Sequence, residues 1–170
     1  MEFFSPLRIA PFLVVIGLLT TKVHAQAPPA AEAAPSGDIW RVMGSAYTFH
    51  FSRNPNHRHV YMLGLEKQDA EKIIFGGTLF TNSFGQPSTY LYVGQRFEKL
   101  TDHDPLFVQV TAGLLYGYKP PYDKKVPLNY KGFSPGAVLS VGWQFTPKYS
   151  AQVNFLGNSA LMFQVSADFP

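Results

Sequence analysis

The dominant pattern in the sequence is an alternation of apolar and polar residues with a period of two, which runs from Gly44 to the C-terminus. The final segment shows it most clearly, because Phe163, Val165, Ala167 and Phe169 alternate with Gln164, Ser166 and Asp168. Successive side chains of a β-strand point to opposite faces, so each such segment is predicted to be a strand with one apolar face. There are eight of them: 44–53, 58–67, 72–83, 90–97, 106–114, 134–145, 149–155 and 162–169.

Each segment is about 10 residues long, the length that a tilted strand needs to cross a bilayer. Alternation with one wholly apolar face also fits a soluble sandwich or a lipocalin-like barrel. The opposite face, however, is rich in Ser, Thr, Gln and Asn, and the last strand ends on Phe169, as is typical of outer-membrane barrels. We therefore predict an all-β fold, an eight-stranded antiparallel up-and-down transmembrane β-barrel.

The N-terminal residues predict export. Residues 1–25 resemble a cleaved signal peptide, with Arg8 before an apolar run from Ile9 to Leu19 and the small-residue site Val23-His-Ala25. Residues 26–43 are rich in Pro and Ala and predict a disordered spacer, with at most one helical turn at its end. The barrel is then expected over residues 44–170, in the outer membrane of a Gram-negative bacterium.

The composition agrees with a lipid-facing protein. The chain has 15 Phe, 9 Tyr and 2 Trp, more rings than a small soluble core would easily bury, whereas a barrel exterior accommodates them. The net charge of +3 is spread thinly, so we expect no nucleic-acid partner. There is no cysteine, and His57 and His59 lack a third ligand, so we predict no metal site.

The connection lengths predict the orientation. Segments 68–71, 99–105 and 146–148 are expected to be periplasmic turns, and the connections near 54–57, 84–87, 117–133 and 157–159 to be extracellular loops. His50, near the top of the first strand, and Asn82-Ser83, at the end of the third, then lie at the same rim. A serine hydroxyl needs a neighbouring base to become a good nucleophile. The alternative is that these are solvated polar groups, since residues 82–87 also form a good turn sequence.

At these residues the sequence resembles a known family, the lipid A palmitoyltransferases of the outer membrane (PagP). The most specific stretch runs from Leu79 to Gly94, and it continues into Leu106-Phe-Val-Gln-Val-Thr-Ala-Gly113; Val126-Pro-Leu128 and 137–142 extend the match. The resemblance covers most of the chain from Tyr47 to Phe169 at low identity. It implies an eight-stranded barrel that moves an acyl chain from a phospholipid donor to a lipid A acceptor without a cofactor.

The resemblance also implies roles for individual residues. His50 matches the essential histidine, as a general base, and Ser83 matches the serine at the reaction centre. Asn82 stands where the family has Asp, so it is expected to orient or donate without a charge. Gly94 matches the floor of the acyl-chain pocket, where a missing side chain would leave room; a glycine that only relieves strand curvature is the alternative. The family's N-terminal amphipathic helix has no counterpart here.

Two other functions stay open from the residues alone. The barrel could bind lipid without catalysis or pass a small solute such as a phosphorylated metabolite, because Arg96 and Lys99 could attract an anion. An eight-stranded lumen holds only side chains or one small ligand, which argues against a general pore. A passive structural role is the third possibility. In each case we expect a monomer.

Overall fold

The computed structural model describes residues 38–100 and 105–170, and these form a closed barrel of eight antiparallel strands in sequence order. The barrel closes where the first strand pairs with the last. The predicted fold class is therefore confirmed. The strands are β1 (Ile39–His50), β2 (Met62–Gln68), β3 (Ile73–Thr81), β4 (Pro87–Phe97), β5 (Leu106–Tyr116), β6 (Phe133–Gln144), β7 (Tyr149–Leu156) and β8 (Ala160–Phe169).

The first strand begins at Ile39, so the predicted boundary at Gly44 is wrong. Trp40 and Val42 face outward while Arg41 and Met43 are buried, which extends the alternation into residues assigned to the spacer. Arg41 interrupts the apolar pattern of the sequence there, but inside the barrel its charge is paired with Glu66 and Asp168. The predicted signal peptide (1–25) and the spacer as far as residue 37 lie outside the described residues.

The two ends of the barrel differ in their connections. At the end that holds residue 38 and Pro170, which we call the turn end, the strands are joined by 69–72, 98–105 and 145–148. At the opposite loop end they are joined by 51–61, 82–86, 117–132 and 157–159. This division agrees with the predicted short and long connections. In the two described stretches, no helix is long and apolar enough to cross a membrane.

The distribution of polarity is inverted relative to a soluble protein. Among the described residues, fifteen buried side chains are polar or charged and seven are apolar. The outward face instead exposes large apolar side chains, of which Leu63 and Leu79 are each 71% exposed. An apolar surface of this extent is rare on a soluble monomer and indicates a surface that another apolar phase covers.

Aromatic side chains are concentrated outside near both ends. The turn end exposes Trp40, Phe97, Trp143, Phe145, Tyr149 and Phe169, and the region towards the loop end exposes Tyr47, Phe49, Phe51, Tyr61, Tyr130 and Phe133. Aliphatic residues such as Leu91, Val93 and Val110 lie between the two groups. Two aromatic belts around an apolar band are characteristic of transmembrane barrels.

A network of ion pairs fills the interior near the turn end. Arg41, which is 1% exposed, binds both carboxylate oxygens of Asp168 at 2.7 and 2.8 Å and Glu66 at 2.6 Å. The other oxygen of Glu66 accepts hydrogen bonds from Tyr92 (2.9 Å) and Gln109 (3.0 Å). The guanidinium of Arg96 lies 3.5 Å from the centre of the Phe107 ring, next to this network. These contacts close the lumen below the middle of the barrel.

We expect Arg41→Met to destabilise the barrel by about 3–5 kcal/mol, because it leaves two buried carboxylates without their counter-ion. Lys67→Gln is the matched control, since the Lys67–Asp38 pair is exposed and an exposed pair contributes only about 0–1 kcal/mol. Both values come from reversible denaturant unfolding of the barrel in lipid vesicles. Equal losses in the two variants would contradict the proposed importance of the buried network.

Candidate functional site

A cavity of about 560 Å³ occupies the upper lumen and opens at the loop end. Its upper wall is largely apolar and includes Val60, Met62, Phe80, Leu115, Leu156 and Met162. Its lower wall is polar and includes Gln109, Ser140, Gln152, Asn154 and Gln164. This volume is within the range of small-molecule sites, about 300–1,000 Å³. The cavity can hold one amphipathic ligand with its apolar part beside the upper wall.

His50 and Ser83 meet at the mouth of this cavity. The Nε2 atom of His50 lies 2.7 Å from the Oγ atom of Ser83, although the two residues are 33 positions apart in the sequence. Both side chains are half-buried and line the cavity. When the neutral ring carries its proton on Nδ1, Nε2 can accept the serine proton, which is the arrangement that general-base activation of a hydroxyl requires.

Strand geometry and hydrogen bonds between connections produce this contact. His50 is the last residue of β1, which pairs with β8 there, and Ser83 follows the last residue of β3 by two. The amide of Arg58 donates to the Ser83 carbonyl at 2.9 Å. Gln86 is bound through its side chain to the backbone of Lys119 by two hydrogen bonds of 3.1 Å. Three loop-end connections are therefore held together around the His50–Ser83 pair.

Asn82 is buried beneath this pair, but its described hydrogen bonds are all made within its own turn. Its Oδ1 atom accepts from the amides of Phe84 (3.0 Å) and Gln86 (3.1 Å), and its Nδ2 atom donates to the Gln86 side chain at 3.3 Å. The residue shapes the turn that presents Ser83. The predicted orienting contact to the histidine is not among these bonds, and a catalytic part for Asn82 stays a prediction.

Two residues that sequence reasoning did not place beside the pair complete its surroundings: His57, which was considered only as a metal ligand, and Tyr118. The ring of His57 lies 4.2 Å from that of His50, centre to centre, and also contacts the edge of Phe84. Burial raises the pKa of the Tyr118 hydroxyl, and a hydrogen bond with Ser83 opposes this only in part. Tyr118 is therefore a polar neighbour of Ser83 and lines the same cavity. Neither residue belongs to a local motif that could have identified it.

Gly94 lies outside the cavity lining. The nearest lining residues are Tyr92 on β4 and Thr111, which pairs with Gly94 on β5, whereas Gln109 pairs with Arg96, nearer the turn end. A Cβ atom at position 94 would collide with the carbonyl oxygen of Val110 and would lie 2.9 Å from the Thr111 methyl group. Close approach of β5 therefore explains this glycine, and its role as a pocket floor stays a prediction.

The described residues contain no group of three His, Cys, Asp or Glu side chains that could hold a metal ion. Ser83 lies beside the imidazole of His50 and the phenol of Tyr118, and the cavity adjoins it.

Comparison with known proteins finds solved structures that are similar at low sequence identity. No protein-family model matches the sequence, and no curated protein does. The N-terminal β-barrel domain of Pseudomonas aeruginosa OprF is 14% identical over 79% of this chain and 98% of that chain, with a TM-score of 0.44. Ail, the attachment invasion locus protein of Yersinia pestis, solved with the heparin analogue sucrose octasulfate, is 12% identical over 79% and 99%, with a TM-score of 0.38.

The strand pairing itself defines the class: this chain is a closed, eight-stranded antiparallel β-barrel with a polar interior. The resemblance to the lipid A palmitoyltransferases stays a prediction.

Asn82→Ala should destabilise the barrel by about 1–3 kcal/mol, because two amides of the 82–86 turn lose their acceptor. Asn158→Ala is the matched control: Asn158 is exposed at the same end of the barrel, and its loss should stay within about 0.5 kcal/mol of the wild type. Thermal unfolding of the purified barrel measures both. A stable Asn82→Ala variant would show that the turn does not depend on this side chain.

Gly94→Ala is expected to cost about 1–3 kcal/mol, since a methyl group must displace the β5 backbone. Gly44→Ala serves as the comparison, because its Cβ atom would make only an ordinary contact, 3.8 Å from the Met62 carbonyl oxygen. Denaturant midpoints of the two variants give the difference. If Gly94→Ala were as stable as Gly44→Ala, the close approach would not be the reason for the glycine.

Proposed function

We propose that this chain is an acyltransferase of the Gram-negative outer membrane that moves an acyl chain from a phospholipid to lipid A. The observation that carries the proposal is the 2.7 Å contact between His50 Nε2 and Ser83 Oγ at the mouth of an amphipathic cavity. The family resemblance supplies the identity of donor and acceptor, and it is supported at the site by the pairing of the same two residues.

The membrane location is supported by the exterior of the barrel. An apolar band between two aromatic belts matches the hydrocarbon layer and its two interfaces. A closed sheet leaves no unpaired strand edge inside lipid, which a membrane-spanning sheet requires. In this proposal the loop end faces outward, and the His50–Ser83 pair lies at the level of the outer-leaflet headgroups.

The proposed reaction needs two transfers. His50 accepts the proton of Ser83 Oγ as this oxygen attacks the ester carbonyl of the phospholipid, and the departing glycerol oxygen takes that proton. The acyl group is then an ester of Ser83. A hydroxyl of lipid A gives its proton to His50 and attacks this ester, and Ser83 leaves with the proton. Each step conserves charge and uses no redox partner or cofactor.

The cavity limits the acyl chain. The apolar upper wall contacts the part of the chain next to the ester, while amide groups of Gln152, Asn154 and Gln164 form the wall below it. These amides are bound to one another, with Asn154 accepting from Gln152 at 2.7 Å and donating to Gln164 at 3.0 Å. An acyl chain that reached them would place methylene groups against buried amides and offer them no hydrogen bond. We therefore infer a preference for acyl chains that are short enough to end beside the apolar upper wall.

The histidine works without a carboxylate partner in this proposal. In the described part of the chain, the acidic side chains of the interior lie in the network near the turn end, below the cavity floor. Ring contact with His57 is what supports the orientation of His50. Loss of the carboxylate that orients a catalytic histidine lowers turnover strongly in serine hydrolases, so this chain should be a slow enzyme.

The second candidate function is binding of an amphipathic molecule without catalysis. It is favoured by Gln109, which is 3% exposed, lines the cavity floor and has an Oε1 atom without a hydrogen-bond partner among the described residues. That atom could accept a hydrogen bond from a ligand or a water molecule. Passage of a solute has less support, because the network of Arg41, Glu66 and Asp168 fills the lumen below.

The decisive experiment compares lipid A by mass spectrometry in cells that express the wild type, His50→Ala, Ser83→Ala or the control His59→Ala. His59 is exposed at the same end and lies outside the cavity lining. We expect an additional acyl chain with the wild type and with His59→Ala, and a loss of at least about 100-fold in each of the other two, the usual contribution of general-base catalysis.

An unchanged lipid A profile in cells that contain the folded wild-type barrel would overturn the enzymatic proposal and leave ligand binding. Heat-modifiable electrophoretic mobility shows whether each variant is folded, so a loss of product is separated from a loss of protein.

A further inference from the structure

The charged side chains of the two barrel ends differ in their balance of sign, since the described turn-end connections carry three cations and three carboxylates. At the turn end, Lys72 and Arg96 contact Glu98, and Lys67 contacts Asp38. The loop-end connections carry six cations, Arg53, Arg58, Lys119, Lys124, Lys125 and Lys131, against the single carboxylate of Asp123. Among the described residues none of these six makes a salt bridge. The loop end is thus a surface of unneutralised positive charge.

Aromatic rings hold several of these ammonium groups. Lys119 lies 4.9 Å from the ring centre of Tyr116, Lys131 lies 5.3 Å from that of Tyr130, and Lys125 lies 5.8 Å from that of Phe84. Contacts of this kind favour defined positions for the cations while leaving their charge available to an anion. These six cations repel one another. An anionic partner that binds here therefore gains the charge attraction that they do not have from carboxylates of the protein.

Lys125 is the member of this group that adjoins the cavity. It is exposed, and it lines the same cavity mouth as His50, His57 and Ser83. Phe84 connects the two features, because it follows Ser83 in the chain, stacks on Tyr122 at 4.2 Å and carries Lys125 on its ring. An anion bound to Lys125 is therefore at the entrance of the cavity that the His50–Ser83 pair adjoins.

We propose that Lys125 binds the phosphate of a lipid headgroup at the cavity mouth, with the apolar chain of the same lipid in the upper cavity. Phosphate fits a lysine at this interface because an ammonium group binds it as a point charge, and the apolar upper wall accounts for the attached chain. The other loop-end cations increase the local concentration of anionic lipid. This inference deepens the proposed acyl transfer and rests on it for the identity of the reacting ester.

Binding of dodecyl phosphate tests the site. This probe combines a phosphate with an alkyl chain, and it has no ester, so its binding does not depend on catalysis. The purified protein in octyl glucoside is titrated with dodecyl phosphate, with neutral dodecyl maltoside and with inorganic phosphate, and bound ligand is counted by native mass spectrometry. The variants are Lys125→Gln and the control Lys131→Gln, whose side chain lies outside the cavity lining.

We expect one dodecyl phosphate per barrel, bound about tenfold more weakly by Lys125→Gln and within about twofold of the wild type by Lys131→Gln, as for the loss of one charge-assisted contact. Binding should also weaken with salt. Equal affinity in the Lys125 variant would overturn the proposal. So would equal binding of dodecyl maltoside, which would mean an apolar site only, or inorganic phosphate binding as tightly, which would mean a site for the free anion.

The two proposals can fail separately. Lys125-dependent binding together with an unchanged lipid A profile would overturn the enzyme and keep the headgroup site. Acyl transfer with Lys125-independent binding would overturn the headgroup site and keep the enzyme.

Discussion

Every strand of this barrel has to present apolar side chains outward, and that constraint determines the rest of the molecule. Alternation then sends every second residue into the lumen, where polar groups are desolvated and must find partners. Near the turn end they do so through Arg41, Glu66 and Asp168, which fill the lumen. Towards the loop end the lumen stays open as the cavity. Any chemistry of the interior is therefore confined to the loop end.

The sequence predicted the barrel because its signal is local. Within one strand the inward and outward residues alternate, so eight strands and their faces could be identified without knowledge of their partners. The start of β1 could not, because it depends on distant residues: Arg41 is acceptable inside only through Glu66 and Asp168, which are 25 and 127 positions away. The contact of His50 with Ser83 could be predicted in part. The strand directions expected from the sequence place both residues at one rim, and the structure adds the distance between their side chains.

The residues around the His50–Ser83 pair could not be predicted from the sequence either, because they too depend on distant parts of the chain. His57, Tyr118 and Lys125 lie in connections whose paths are determined by hydrogen bonds to other connections, such as those of Gln86 with Lys119. For Gly94, the position on the strand could be predicted but its surroundings could not. Its inward position was predicted, but the closeness of the β5 backbone and of the Thr111 side chain decides what it can do. A position on a strand is local information, whereas the shape of a cavity is not.

The guanidinium of Arg41 spans the junction where the barrel closes. It is carried by the first strand and binds Glu66 on β2 and Asp168 on β8. Until β8 pairs with β1, the arginine has only one of its two carboxylate partners and lacks the two hydrogen bonds to Asp168. The last contacts of the buried network and the closure of the barrel therefore form together, so a barrel in which β8 is unpaired leaves its arginine short of acceptors.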